Sequence, residues 1–208
     1  MTDREVAARV IEALDRRPDI VFAQFNSPDT VAHVCGPDSK EGIESYRELD
    51  TSLAVIGSAI RWDQDLVLVT SDHDQETIDP TKRIDLHTVA AEQGLDLTIV
   101  DEGTAAMLVG PGAIHPTWVS RVEGVETWVQ VAPDVAFVFS LPTWWFADPD
   151  LPDLRGAHGG PRTTSTVAVA AGADELVAEV EDRFRSPRLG AEDWFELVEA
   201  ARLVTART

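Results

Sequence analysis

Apolar residues recur along the chain at two spacings, and the changes between them outline the elements. Val6, Val10, Ile11 and Leu14 fall three or four apart behind Thr2 and Glu5, which stand as in a capping box, so a helix is predicted over about 3–16. Ile20–Phe25 is a short apolar run stopped by Asn26-Ser27-Pro28-Asp29, the pattern of a buried strand ending at a turn. Ile43, Tyr46, Leu49, Leu53, Ile56 and Ile60 return to helical spacing and predict a long amphipathic helix from Lys40 to about Ile60. Leu66–Val69 then reads as a second buried strand, with Ser71-Asp72-His73 directly after it. Alternation of helices with apolar strands predicts an α/β fold with a mostly parallel sheet flanked by helices. In such sheets ligand sites gather beyond the carboxyl ends of the strands, where both polar clusters fall.

The middle of the chain follows another rhythm. A short helix is expected over 84–93, with Asp85 as its N-cap and Gly94 just past its end. Leu97–Val100 and Ala105–Val109 read as strands around an Asp-Glu-Gly turn, and Trp128–Val131 and Val135–Phe139 as a pair around Ala132-Pro133-Asp134. Residues 84–147 are therefore expected to be an α+β subregion inserted within one domain over 1–208. A loop from Ala147 to Arg162, a strand at Thr166–Ala170 and two helices at about 173–184 and 191–205 complete the prediction.

Charge narrows the partners. Seventeen Lys and Arg stand against 37 Asp and Glu, a net charge of −20, which disfavours general binding to nucleic acid or to anionic membranes. The 44% of hydrophobic residues is ample for a core. One cysteine, Cys35, excludes an intrachain disulfide and any multi-cysteine metal site, and is read as a small buried filler. No apolar run is long enough to span a membrane. The first residues carry acids and no apolar segment, so with Met1 as the true start the expected location is cytoplasmic.

The candidate chemistry lies in three of the five histidines. Asp29 and His33 are four apart and share a face of any helix that follows Pro28. Asp72 and His73 are adjacent after a strand, and His158 sits in Gly156-Ala157-His158-Gly159-Gly160, where glycines permit close approach. Carboxylates and imidazoles without thiolates suit zinc, manganese or iron. Taken singly, each is an ordinary feature: a solvated helix turn, an Asp-capped turn, a flexible loop. Their convergence at strand ends is what points to a site. His87 and His115 read as surface residues, Arg155 and Arg162 as solvated loop arginines, and Trp118, Trp144, Trp145 and Phe146 as local core in preference to a substrate wall.

Asn26-Ser27-Pro28-Asp29-Thr30-Val31-Ala32-His33-Val34-Cys35-Gly36-Pro37-Asp38-Ser39, then Ser71-Asp72-His73, then His158-Gly159-Gly160 resembles, in order, the motifs of the alkaline phosphatase superfamily. The nearest branch is the type I phosphodiesterase/nucleotide pyrophosphatase family. The resemblance implies an alkaline phosphatase-like α/β domain, a phosphate mono- or diester or nucleotide pyrophosphate as the small-molecule substrate, and two divalent metal ions, zinc foremost. It assigns Asp29, His33 and His158 to one ion and Asp72 and His73 to the other. Ala32 and Asp74 stand where the family pattern has glycine. No threonine or serine here matches the family's nucleophile, which belongs to a strand and helix start earlier in the domain. The chain is thus expected to be the C-terminal part of a catalytic domain, with no catalytic nucleophile of its own and an incomplete second metal site. The missing half would come from an upstream segment or a second chain. The alternatives are a non-catalytic metal-binding or interaction remnant, and a relative of the sulfatase, phosphonate hydrolase or phosphomutase type.

Overall fold

The structure is a computed structural model that describes residues 1–147 and 153–178. In chain order the elements are helices α1 (Asp3–Leu14), α2 (Ser27–Cys35) and α3 (Lys40–Gly57), strands β1 (Leu66–Thr70), β2 (Glu76–Thr77) and β3 (Arg83–Ile84), and helix α4 (Leu86–Glu92). Strands β4 (Thr98–Glu102), β5 (Ala105–Val109), β6 (Val125–Ala132), β7 (Val135–Ser140), β8 (Trp145–Phe146), β9 (Gly156–Ala157) and β10 (Ala168–Gly172) follow, with 3-10 turns at Pro111–Ala113 and Thr117–Arg121. The chain divides into two compact units: Met1–Phe25 with Glu48–Ser71 and Val167–Thr208, and Asn26–Arg47 with Asp72–Thr166.

In the first unit the capping box forms as the sequence predicts. The Glu5 amide donates to Thr2 Oγ1 at 3.3 Å and the Thr2 amide to the Glu5 carboxylate at 2.7 Å. The helical spacing places Ala7 and Val10 on one buried stripe of α1, packed with Ile56 of α3 and with Val21 and Phe25. Strand β1 pairs antiparallel with β10, Leu66 opposite Gly172.

The second unit holds the larger core. Strands β4, β5, β7 and β6 form, in that order, a four-stranded antiparallel sheet. Leu108 of β5 and Val138 of β7 are fully buried beside Leu86 of α4, Val119 and Phe146. Burying each of these larger side chains stabilises the fold by about 1.5–3 kcal/mol relative to exposure. Asp85 caps α4 by accepting the Thr88 amide at 2.9 Å. Phe146 is fully buried in that core with Trp118 and Trp144 packed against it, and Trp145 is fully buried in a second cluster with Ile78, Ala147 and Ala157, so these aromatics are local core.

Three expectations meet a different outcome. Ile20–Phe25 enters no ladder among the described residues: Val21 and Phe25 turn inward while Phe22 is 93% exposed. The mostly parallel sheet is likewise not formed among the described residues, where only the short β3–β8 pair is parallel. Leu66–Thr70 pairs antiparallel with Ala168–Gly172, and Ile20–Phe25 enters no ladder, so neither strand expected at the centre of that sheet has a parallel neighbour among the described residues. Cys35 is half-buried rather than interior. Of the two closing helices, 191–205 lies outside the described residues, as does 173–184 beyond residue 178. No helix among the described residues is long and apolar enough to cross a membrane.

The turn after α3 is pinned by Asp65, whose carboxylate accepts from the Arg61 guanidinium at 2.6 Å and from the Arg61 amide at 2.9 Å. These bonds hold the Asp65 carboxyl below the usual carboxylate range. A folded value below the unfolded one means that the contribution is present above about pH 4 and is lost as pH falls through the lowered value. Because Arg61 is partly exposed, Asp65→Asn is expected to cost only about 0.2–1 kcal/mol at neutral pH. Urea unfolding should show that gap narrow as the pH is lowered through the acid range; a gap that persists in acid would assign the loss to something other than charge.

Candidate metal centre

The five residues singled out in the sequence all lie in the second unit. Helix α2 begins with Pro28 in its first turn and places Asp29 and His33 one turn apart, with His33 Nε2 3.4 Å from Asp29 Oδ1. His33 Nδ1 lies 2.9 Å from the Gly156 carbonyl. A carbonyl only accepts, so Nδ1 carries a hydrogen, and Nε2, on the Asp29 side, is the nitrogen left to bind a metal. His73 repeats the arrangement, its Nδ1 3.1 Å from the Asp74 carbonyl. An imidazole fixed at one nitrogen by a backbone carbonyl and open at the other is prepared to bind a metal.

His158 completes the group. Its ring stacks on His73 with centroids 3.7 Å apart and planes 20° apart, and lies 5.0 Å from the His33 ring. Burial, followed by repulsion from His73 and His33, pushes its pKa below the ordinary imidazole value despite the opposing charges of Asp29 and Glu102. The neutral, metal-binding form is thereby favoured. Asp29, His73 and His158 each offer a ligand atom within 4.8 Å of the others. Two ligands on one ion at about 2.0–2.2 Å are at most about 4.4 Å apart, so small side-chain rotations close the set. One carboxylate and two imidazoles fit a zinc-type ion in donor chemistry as well. Asp72 stands at the rim: its side chain is 83% exposed, Oδ1 accepts the His73 amide at 3.1 Å and Oδ2 is 3.7 Å from His73 Nε2.

Strand β9 and the turn after it owe their position to glycine. A Cβ at Gly156 would lie 2.3 Å from the Ala32 carbonyl oxygen, and one at Gly159, where φ is +99°, would lie 2.3 Å from the Glu102 carbonyl oxygen. Two residues that the motif reading passes over hold the site. Thr104, fully buried at the β4–β5 turn, receives the His158 carbonyl on both its amide (2.8 Å) and its hydroxyl (3.0 Å), and its Oγ1 accepts from the Gly160 amide (2.9 Å). Gln75 donates through Nε2 to the Asp29 carboxylate. Exposure alternates over residues 71–75, with His73 and Gln75 both on the half-buried side, a faint sequence signal; nothing in spacing marks Thr104. Arg162, expected as a solvated loop arginine, is instead a staple, pairing with Glu76 at 2.8 Å and Glu126 at 2.7 Å. His87, expected at the surface, bonds Asp101 at 3.0 Å.

The family model described as type I phosphodiesterase/nucleotide pyrophosphatase matches residues 1–135. The chain belongs to that family. The match contains Asp29, His33, Asp72 and His73, while His158 lies beyond it and joins them through the fold alone. Among solved structures, murine ectonucleotide pyrophosphatase/phosphodiesterase 5, in an inactive variant in complex with AMP, is similar with a TM-score of 0.56 at 19% identity, over 83% of this chain and 53% of that one. The human ectonucleotide pyrophosphatase/phosphodiesterase 5 is similar with a TM-score of 0.52 at 17% identity, over 71% and 46% respectively. These likenesses show the fold, a partial alkaline phosphatase-like α/β domain. The phosphodiesterase-family chain spans about half the length of the structures it matches. A search of curated proteins finds no match.

If Thr104 clamps the His158 turn, Thr104→Val, which keeps the shape and strands the Gly160 amide, should cost about 1–3 kcal/mol in urea unfolding. Thr104→Ser should retain most of that stability. A Thr104→Val variant as stable as the parent, or a Thr104→Ser variant less stable than Thr104→Val, would show that the hydroxyl is not what holds the turn.

Proposed function

We propose that this chain supplies the metal-binding part of a phosphoester hydrolase active site. Asp29, His33 and His158 hold one divalent ion, and Asp72 and His73 contribute to a second, with zinc as the ion that suits imidazole and carboxylate donors. The observation that carries the reading is that ligands assigned to both ions meet: Asp29, His73 and His158, drawn from three separated stretches of chain, lie within 4.8 Å of one another, and His33 Nε2 is 3.4 Å from Asp29 Oδ1. Bound divalent ions supply positive charge to the phosphate oxygens and lower the pKa of a coordinated nucleophile. The protein's own part is to keep ligand atoms free and aimed. The Gly156 and Asp74 carbonyls orient His33 and His73, burial keeps His158 neutral, and Thr104 fixes the turn that carries it.

On this reading the substrate is a phosphodiester or nucleotide pyrophosphate, in keeping with the family and with AMP in the murine structure. The attacking hydroxyl comes from outside the motifs present here, from a further segment of the domain or from a second chain. Residues 84–147 form an insertion within a single partial domain over 1–208.

Zinc binding to the purified chain tests the proposal. We expect about one tightly bound zinc per chain, by analogy with zinc sites of three or four protein ligands, and its loss in His158→Ala. Binding no greater than that of the variant would remove the metal centre, and the hydrolase reading with it.

A further inference from the structure

We infer that Gln75 is a positioning residue for the site: it holds the Asp29 carboxylate in the orientation that faces His73 and His158. The inference rests on the reading of Asp29 as a metal ligand. Gln75 Nε2 faces the Asp29 carboxylate and, at 3.2 Å, the Asp29 main-chain carbonyl. Both of these groups only accept hydrogen bonds, so the amide nitrogen must be on that side. The opposite end of the same amide, Oε1, is buried and has no hydrogen-bond partner among the described residues.

That asymmetry identifies what the side chain does. A desolvated, unpaired acceptor opposes folding, and an apolar side chain of the same length would avoid it. The favourable contribution of this amide is therefore its donor end, which is spent wholly on Asp29. The surroundings are shaped to hold it there. A Cβ at Gly156 would lie 2.9 Å from Gln75 Oε1, so the amide occupies space that any other residue at 156 would claim. The next residue, Glu76, is in register with Ala157 in the β2–β9 ladder, which ties the Gln75 backbone to the strand leading into His158. One short stretch thus provides a ligand, His73, and the holder of another, Asp29. A carboxylate oriented by an outer hydrogen bond binds metal more tightly than one free to rotate, commonly by about 10–100-fold.

The test is zinc affinity of the full chain, by competition with a chromogenic chelator, for the parent, Gln75→Met, Asp29→Asn and the double variant. Methionine keeps length and removes both amide groups; Gln75→Leu does the same should the first variant fold poorly. We expect Gln75→Met to weaken zinc binding about 10–100-fold. Thermal unfolding of the zinc-free chain should not fall, and in the Asp29→Asn background the substitution should cause no further loss. Unchanged affinity in Gln75→Met, with a parent that binds zinc through Asp29 and His158, overturns this inference alone. A weaker affinity matched by an equal loss of zinc-free stability would also overturn it, because the role would then be structural. A parent chain that binds no more zinc than Asp29→Asn removes the ligand reading and this inference together.

Discussion

The site depends on how closely the backbone at Gly156–Gly160 approaches its neighbours. Gly156 lies against the Ala32 carbonyl and offers its own carbonyl to His33, while Gly159 lies against Glu102. Those approaches exclude a Cβ, and they bring His158 from a distant part of the chain onto Asp29 and His73. Once the backbone is there, Thr104 locks the turn and β2 pairs with β9.

Electrostatics follow from that crowding. The chain carries a net charge of −20, yet at the site three imidazoles crowd around Asp29. Burial and mutual repulsion keep His158 from charging. Imidazole nitrogens gathered beside a carboxylate make a donor set of the type that divalent cations such as zinc take. The overall acidity and the local donor set are thus separate features: a net charge of −20 belongs to the whole chain, while the gathered imidazoles and carboxylate belong to one site.

The fold carries a related asymmetry. The second unit closes its own core, with Leu108, Val138, Trp145 and Phe146 fully covered. In the first unit Ile20–Phe25 enters no ladder among the described residues and leaves Phe22 at the surface.

Periodicity alone determined where α1, α3 and α4 lie, because capping chemistry and a 3.6-residue repeat are local properties of the chain. The hairpin strands β4–β5 and β6–β7 were legible for the same reason, through their turn residues. The metal-ligand candidates were legible as residue types in motif order, which covers Asp29, His33, Asp72, His73 and His158. Sequence order does not say which of them meet. Only the tertiary structure placed His158 against His73, put Asp72 at the rim, and enlisted Gln75 and Thr104. It also turned the expected parallel sheet into antiparallel pairs among the described residues. The physical reason is common to all of these. Hydrogen bonds and ring contacts between residues tens of positions apart depend on how two backbones approach each other, and neither spacing nor composition encodes that distance.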